Sequence, residues 1–134
     1  MEMNVLKEYG KIVVDTDVII DFLRGTELGV TFFRTYNFEP VISSVTITEL
    51  YVGIRDDETT QIEKMLQSYV TIEVSGEIAR MGEKIRNEFY KSHGTGVIDS
   101  IIAATALSND LPLATLNQKH YPMLKDLILP YKKG

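Results

Sequence analysis

Short apolar runs rich in β-branched residues alternate with helix-patterned segments along the whole chain, and that alternation restricts the fold more than any other feature. Residues 11–14 (KIVV) read as a buried strand ending at Asp15. Val18, Ile19, Phe22 and Leu23 then recur at helical spacing over 17–24, and Gly25 stops them. The pattern predicts a second short helix over 27–36, a second strand over 40–45 (PVISSV), and helices over about 46–55 and 57–68. Residues 69–74 (YVTIEV) alternate as a strand does. The clearest amphipathic helix covers 75–92, where Ile78, Met81, Ile85 and Phe89 form one stripe before HGTG (93–96) breaks it. Residues 97–109 are apolar nearly all round, which predicts a buried helix, and 113–115 (LAT) and 127–129 supply the last strands. Strands separated by helices from end to end imply an α/β layered fold on a mainly parallel sheet. No linker, repeat or low-complexity segment divides the 134 residues, so one domain over 1–134 is expected.

Composition narrows the chemistry. The absence of cysteine excludes disulfides, thiolate metal sites and a cysteine nucleophile. With only His93 and His120, a histidine-rich zinc site is excluded in practice, which leaves oxygen donors suited to Mg²⁺ or Mn²⁺. A net charge of −5 argues against broad electrostatic attraction to nucleic acid, so any such activity requires local basic groups or a metal. The first ten residues (MEMNVLKEYG) lack the apolar core of a signal peptide, and no apolar run approaches the ~20 residues that span a bilayer. A cytoplasmic protein without membrane contact is expected.

Three carboxylates stand out. In parallel α/β sheets ligands bind at the carboxyl ends of the strands, and Asp15 lies at such an end, directly after KIVV, where leaving water is costly. Asp17 and Asp21 follow within a turn or two, and capping or solvation accounts for Asp17 as well as function does. Glu49 follows the second expected strand. The spacing Thr46-x-x-Glu49 fits a capping box, and the alternative is a metal-binding carboxylate in a first helical turn. Asp99 opens GVIDSIIAATAL, where nearly every neighbour is apolar or small, so its charge needs a cap or a cation as partner. Converging at one sheet edge, Asp15, Glu49 and Asp99 would repel one another, and a divalent ion would relieve that repulsion and activate water for attack on phosphorus.

The segment 114–122 (ATLNQKHYP) should reach the same edge, where Thr115 and Asn117 either orient water or phosphate or serve the turn. His120 titrates near neutrality as a class, but a lone loop histidine is more often a bystander. Arg80, Lys84 and Lys91 share a helix side with Glu77 and Glu88 and read as a solvated charged face. Arg24 and Arg55 are further candidates for phosphate contact that nothing in the sequence singles out.

In four segments, IVVDTDVIIDFLRG (12–25), SSVTITELYVGI (43–54), GVIDSIIAATAL (96–107) and PLATLNQKHYP (112–122), the chain resembles the PIN domains, especially the VapC-type toxins. The resemblance covers almost the whole chain. It implies a three-layer α/β/α fold with a parallel sheet and Mg²⁺- or Mn²⁺-dependent cleavage of RNA. It also implies Asp15, Glu49 and Asp99 as metal-binding and catalytic acids, Thr16 as a small hydroxyl beside the first, and Asn117 as a polar residue of the fourth motif. A homodimer and a protein antitoxin that inserts near the acidic cleft follow from the same resemblance. Where many relatives carry a fourth acid this chain has His120, which favours one metal over two and leaves Asp17 as a substitute. Two other readings stay open. Asp15-x-Asp17 after an apolar strand fits a haloacid-dehalogenase-type phosphatase with Asp15 as nucleophile, although the later motifs of that family are out of order here. A PIN-like module that binds RNA or protein without cutting is the other.

Overall fold

The computed structural model describes residues 7–132; the ends of the expected domain, residues 1–6 and 133–134, lie outside the described residues. Strand β1 (Lys7–Val14) leads into α1 (Thr16–Leu23) and α2 (Glu27–Thr35), then β2 (Tyr36–Ser43) and α3 (Ser44–Gly53). A 3₁₀ turn (Asp56–Glu58), α4 (Thr59–Ser68) and β3 (Val70–Ile72) complete the first half. Helices α5 (Gly76–His93) and α6 (Val97–Ser108) precede β4 (Leu113–Ala114), a 3₁₀ turn (Gln118–His120) and β5 (Leu127–Ile128). Among the described residues all four strand pairings are parallel, in the order β3-β2-β1-β4-β5.

Strand periodicity sorts the core onto two faces. Val13, Val41 and Leu113 point to a cluster closed by Ile78 and Ile85 of α5, by Ile102 and its neighbours in α6, and by Tyr121. Ile12, Val14, Ile42 and Ala114 point the other way, into Val18 and Ile19 of α1, Phe32 of α2, Leu50 of α3, and Ile62 and Met65 of α4. These are the three expected layers, α/β/α. Helices α5 and α6 approach closely through Gly82, where an added Cβ would come to 3.2 Å from Ile101 Cγ1. Helix α5 ends at Gly94 in the left-handed region (φ 72°), a conformation that glycine adopts without strain.

The expected elements are all present, with shifted bounds. β1 starts at Lys7 rather than 11 because KEYG pairs with the start of β2 despite its polar composition. β2 likewise starts at Tyr36 rather than 40; its Pro40 faces β1, and pairing to β3 begins only at Val41, so the missing N–H costs no ladder bond to β3. β3 keeps only three residues of the expected 69–74.

The chain winds outward through β1, β2 and β3, then returns to the other side of β1 with β4 and β5. The direction of winding therefore reverses between β1 and β4. In open parallel sheets that crevice, at the carboxyl ends of the strands, is where ligands bind.

Candidate active site

Asp15 leaves β1 at the switch point and caps α1, its Oδ1 accepting from the Thr16 backbone N–H at 2.8 Å. Its Oδ2 accepts from Thr115 Oγ1 at 2.7 Å, just past β4, and from the Tyr121 hydroxyl at 3.2 Å. Asp99, in the first turn of α6, does not cap its helix. Its Oδ1 accepts from the same Tyr121 hydroxyl at 3.2 Å, and its Oδ2 lies 3.0 Å from His120 Nδ1. Asp15 and Asp99 thus meet across one phenol, their accepting oxygens within twice that 3.2 Å of each other.

Tyr121 is fully buried. Its single proton cannot satisfy two carboxylate oxygens at once, so the pair is held by a hydroxyl that leaves one acceptor underserved. Burial first, then the charges of Asp15 and Asp99, push the Tyr121 hydroxyl far above the usual phenol range, so it stays protonated.

Asp15 is 5% exposed, and burial pushes it up to about 7, with the nearby charge of Asp17 second and that of Asp99 a smaller contribution. The hydrogen bonds from Thr115 and the Thr16 backbone pull the other way and lose. No cation is among these influences. Among the described residues, ion pairs join Lys11 to Glu39 and Arg24 to Glu58, and none brings a lysine or arginine to Asp15, Glu49 or Asp99.

Glu49 does not lie where either reading of its sequence put it. Ser43, not Thr46, caps α3, so Glu49 lies in the second turn and the capping box does not form. Ser43 wins because its own Oγ reaches the Val45 N–H at 3.2 Å, which starts the helix before Thr46. Thr46 Oγ1 is left buried without a hydrogen-bond partner. Glu49 instead takes the Thr16 hydroxyl at 2.5 Å, and since the Thr16 backbone N–H donates to Asp15, Thr16 links the two acids.

Asp17 sits in the first turn of α1 without capping it, and Asn117 Nδ2 donates to its Oδ2 at 3.5 Å. Asn117 is fixed in turn by its backbone N–H, which donates to Thr115 Oγ1 at 3.0 Å. Asp15, Asp99, Thr115, Tyr121 and His120 therefore form one hydrogen-bonded group, with Glu49 reached through Thr16 and with Asp17 and Asn117 on the rim. Arg24 is engaged elsewhere, donating to Glu58 and to the Gly53 carbonyl. Sequence reasoning missed Tyr121. A tyrosine in a loop before proline carries no periodic signal, and only its place beside His120 in 114–122 hinted at it.

The donor set suits a hard cation, since it is all oxygen and its most buried carboxylate lacks a positive partner. As they stand, no three His, Asp or Glu side chains among the described residues are grouped closely enough to hold an ion together. Two carboxylates with waters completing the shell is a Mg²⁺-like arrangement.

The family profile of the PIN domain matches residues 12–123. The chain belongs to the PIN-domain family. It is similar to Ribonuclease VapC19 of Mycobacterium tuberculosis, 34% identical over 122 residues that cover 88% of this chain and 98% of that protein. Ribonuclease VapC10 of the same organism is 35% identical over 123 residues, covering 90% and 92%. Among solved structures, a toxin–antitoxin complex from Klebsiella pneumoniae superposes with a TM-score of 0.79 at 25% identity, covering 91% of this chain and 99% of that one. The phosphatase reading falls away with that membership.

Proposed function

We propose that this chain is a divalent-metal-dependent ribonuclease of the VapC type, a single PIN domain over 1–134 that acts as the toxin of a toxin–antitoxin pair. The observation that carries the reading is Asp15: a carboxylate 5% exposed at the switch point, joined to Asp99 through the Tyr121 hydroxyl and with no lysine or arginine partner among the described residues. Likeness to ribonucleases over nearly full length supplies the substrate class.

Asp15 and Asp99 would hold the ion, Mg²⁺ or Mn²⁺, with Glu49 as the third catalytic acid. When bound, such an ion supplies neutralising charge, a water of lowered pKa and stabilisation of the leaving oxygen. The chain's own groups do the rest. Thr115 and Tyr121 fix Oδ2 of Asp15, so its orientation does not have to be gained on binding. His120 turns Asp99 toward the crevice, and Thr16 fixes the reach of Glu49. Asn117 and Asp17, on the rim, face an incoming strand. A protein antitoxin and a second copy of the chain are the proposed partners. Val52 of α3 and Val97 of α6, 81% and 61% exposed, offer apolar surface for them. Action in the cytoplasm is proposed with them, and among the described residues no helix is long and apolar enough to cross a membrane.

The test is cleavage of a structured RNA by protein purified free of partners, with Mg²⁺, Mn²⁺ or EDTA, beside an identically purified Asp99→Asn variant. Cleavage that needs the metal and is lost in the variant is the expected outcome. Equal cleavage by the variant would mean a contaminant or a wrong site. A second reading, binding without cutting, has one observation in its favour: Glu49 is tied to Thr16, and among the described residues no three acids are grouped closely enough to hold an ion. RNA bound but uncut in every metal would decide for it.

A further inference from the structure

We propose that the cavity beside the acidic crevice is a subsite for one unpaired nucleotide of RNA, its base stacked on Tyr131 and its phosphate met by Lys132. This rests on the ribonuclease reading and adds the place of a nucleotide next to the reacting phosphate.

The cavity measures about 510 Å³ and is lined by Asp17, Leu116, Asn117, Leu129, Tyr131 and Lys132. Three segments meet there: the first turn of α1, the loop after β4, and the tail after β5. It adjoins the acidic group directly. Asn117 is tied through its N–H to the Thr115 hydroxyl, which donates to Asp15, and Asp17 lies two residues after Asp15. A polymer threaded past Asp15 therefore has its neighbouring unit at this opening.

Size and lining choose the occupant. The volume is within the range of small-ligand pockets and accepts a nucleotide. Tyr131 is half-buried against the α1 side of the core, and its hydroxyl donates to Asp21 Oδ2 at 2.7 Å, which fixes the ring before any ligand arrives. The ring also borders a second cavity, lined by Asp21, Thr26, Glu27 and Leu28, so it stands as a partition between two openings. A fixed aromatic face is what unpaired bases stack on, and Leu129, 40% exposed, extends the apolar wall. At the other side, Asn117 offers a donor and an acceptor beside the acceptor-only Asp17, a pairing that suits a base edge bearing N–H groups. A small free anion would meet the charge of Asp17; a neutral base does not. Lys132, exposed at the mouth, is the one cation of the lining among the described residues. A duplex hides both the stacking face and the Watson–Crick edge, so the occupant is an unpaired nucleotide.

The test compares wild type, Tyr131→Leu, Tyr131→Phe and Lys132→Gln in two assays. The first is binding of a short unstructured fluorescein-labelled RNA in EDTA at several salt concentrations, read by anisotropy. The second is cleavage kinetics with Mn²⁺. Tyr131→Leu is expected to weaken binding about tenfold and raise KM accordingly, while Tyr131→Phe, which keeps the ring, stays within about twofold of wild type. Lys132→Gln is expected to reduce the slope of log K against log salt by about 0.7, one phosphate contact. Unchanged binding in Tyr131→Leu overturns the proposal, and so does equal weakening in the Phe and Leu variants, since the latch to Asp21 rather than the ring would then be the cause. A wild type that cuts nothing defeats the ribonuclease reading while the binding assay still judges the subsite. A wild type that cuts with a KM indifferent to Tyr131→Leu defeats the subsite alone.

Discussion

Asp15 and Glu58 are both buried carboxylates, 5% and 8% exposed, and the fold treats them in opposite ways. Glu58 Oε1 accepts from the Arg55 backbone N–H at 2.7 Å, and its Oε2 faces Arg24 at 3.5 Å. The Arg55 hydrogen bond first, then Arg24 by hydrogen bond and charge, hold its carboxyl below the usual range against the cost of burial. Through Arg24, which also donates to the Gly53 carbonyl, it ties the end of α1 to the end of α3 and the start of α4. Asp15 has hydrogen bonds but no positive neighbour among the described residues, and two further acids raise it. A buried acid with its counter-charge built in serves the fold. For one with no counter-charge among the described residues, the proposed function supplies a cation from outside.

The sharpest way to break this contrast is to remove each charge in turn. Asp15→Asn is expected to lower metal-dependent cleavage at least about a hundredfold, since even outer partners of metal ligands cost ten- to a hundredfold. The same variant should raise the melting temperature of the metal-free protein at pH 8. Asp15 binds its proton with a midpoint of about 7 in the fold against an ordinary 3.8, so the folded state holds more protons between those values and loses stability as pH rises through them. By linkage that loss is at most about 4–5 kcal/mol, because each tenfold change in proton affinity is worth about 1.4 kcal/mol. Calorimetry from pH 4 to 8 on both proteins checks it; a flat difference between them would show that Asp15 is ionised at no cost.

Tyr121→Phe comes next. Losing the shared hydroxyl while keeping the ring in the core should cut kcat/KM about tenfold and weaken Mn²⁺ binding, with little change in fold by circular dichroism. Unaltered Mn²⁺ affinity, measured by titration calorimetry, would reduce Tyr121 to a packing residue. Glu58→Gln should do the reverse of Asp15→Asn: a melting temperature lower by a few degrees at pH 7, with cleavage per folded molecule unchanged. Because the carboxyl of Glu58 is held low, its stabilisation is present above the ordinary value of 4.5 and fades as pH falls below it, the opposite sign to Asp15. Asp17→Asn carries the smallest effect, a slight rise in metal-free stability at pH 8 because one of the charges opposing Asp15 is gone. If its Mn²⁺ affinity matches wild type, Asp17 does not replace the missing fourth acid.

What the sequence made legible follows from how local each signal was. The layers and the parallel sheet were readable because KIVV, the stripe from Ile78 to Phe89 and the apolar run from 97 each carry their period within one element. Asp15 and Asp99 were readable because an acid beside such runs is conspicuous. Glu49 was misplaced because two hydroxyls, Ser43 and Thr46, compete to start α3, and the winner depends on where β2 ends. Tyr121, Tyr131 and Glu58 were illegible, since each acts on a partner far along the chain: Asp15 and Asp99, Asp21, and Arg24.

The most direct measurement is thermal unfolding of the wild type and Asp99→Asn with and without Mn²⁺, at pH 8 and at pH 5, with no RNA present. If the acidic crevice awaits a cation, Mn²⁺ raises the wild-type melting temperature clearly at pH 8, far less at pH 5 where Asp15 holds its proton, and hardly at all in the variant. No shift at pH 8, or the same shift in Asp99→Asn, would mean that the omitted counter-charge is not a metal bound between Asp15 and Asp99.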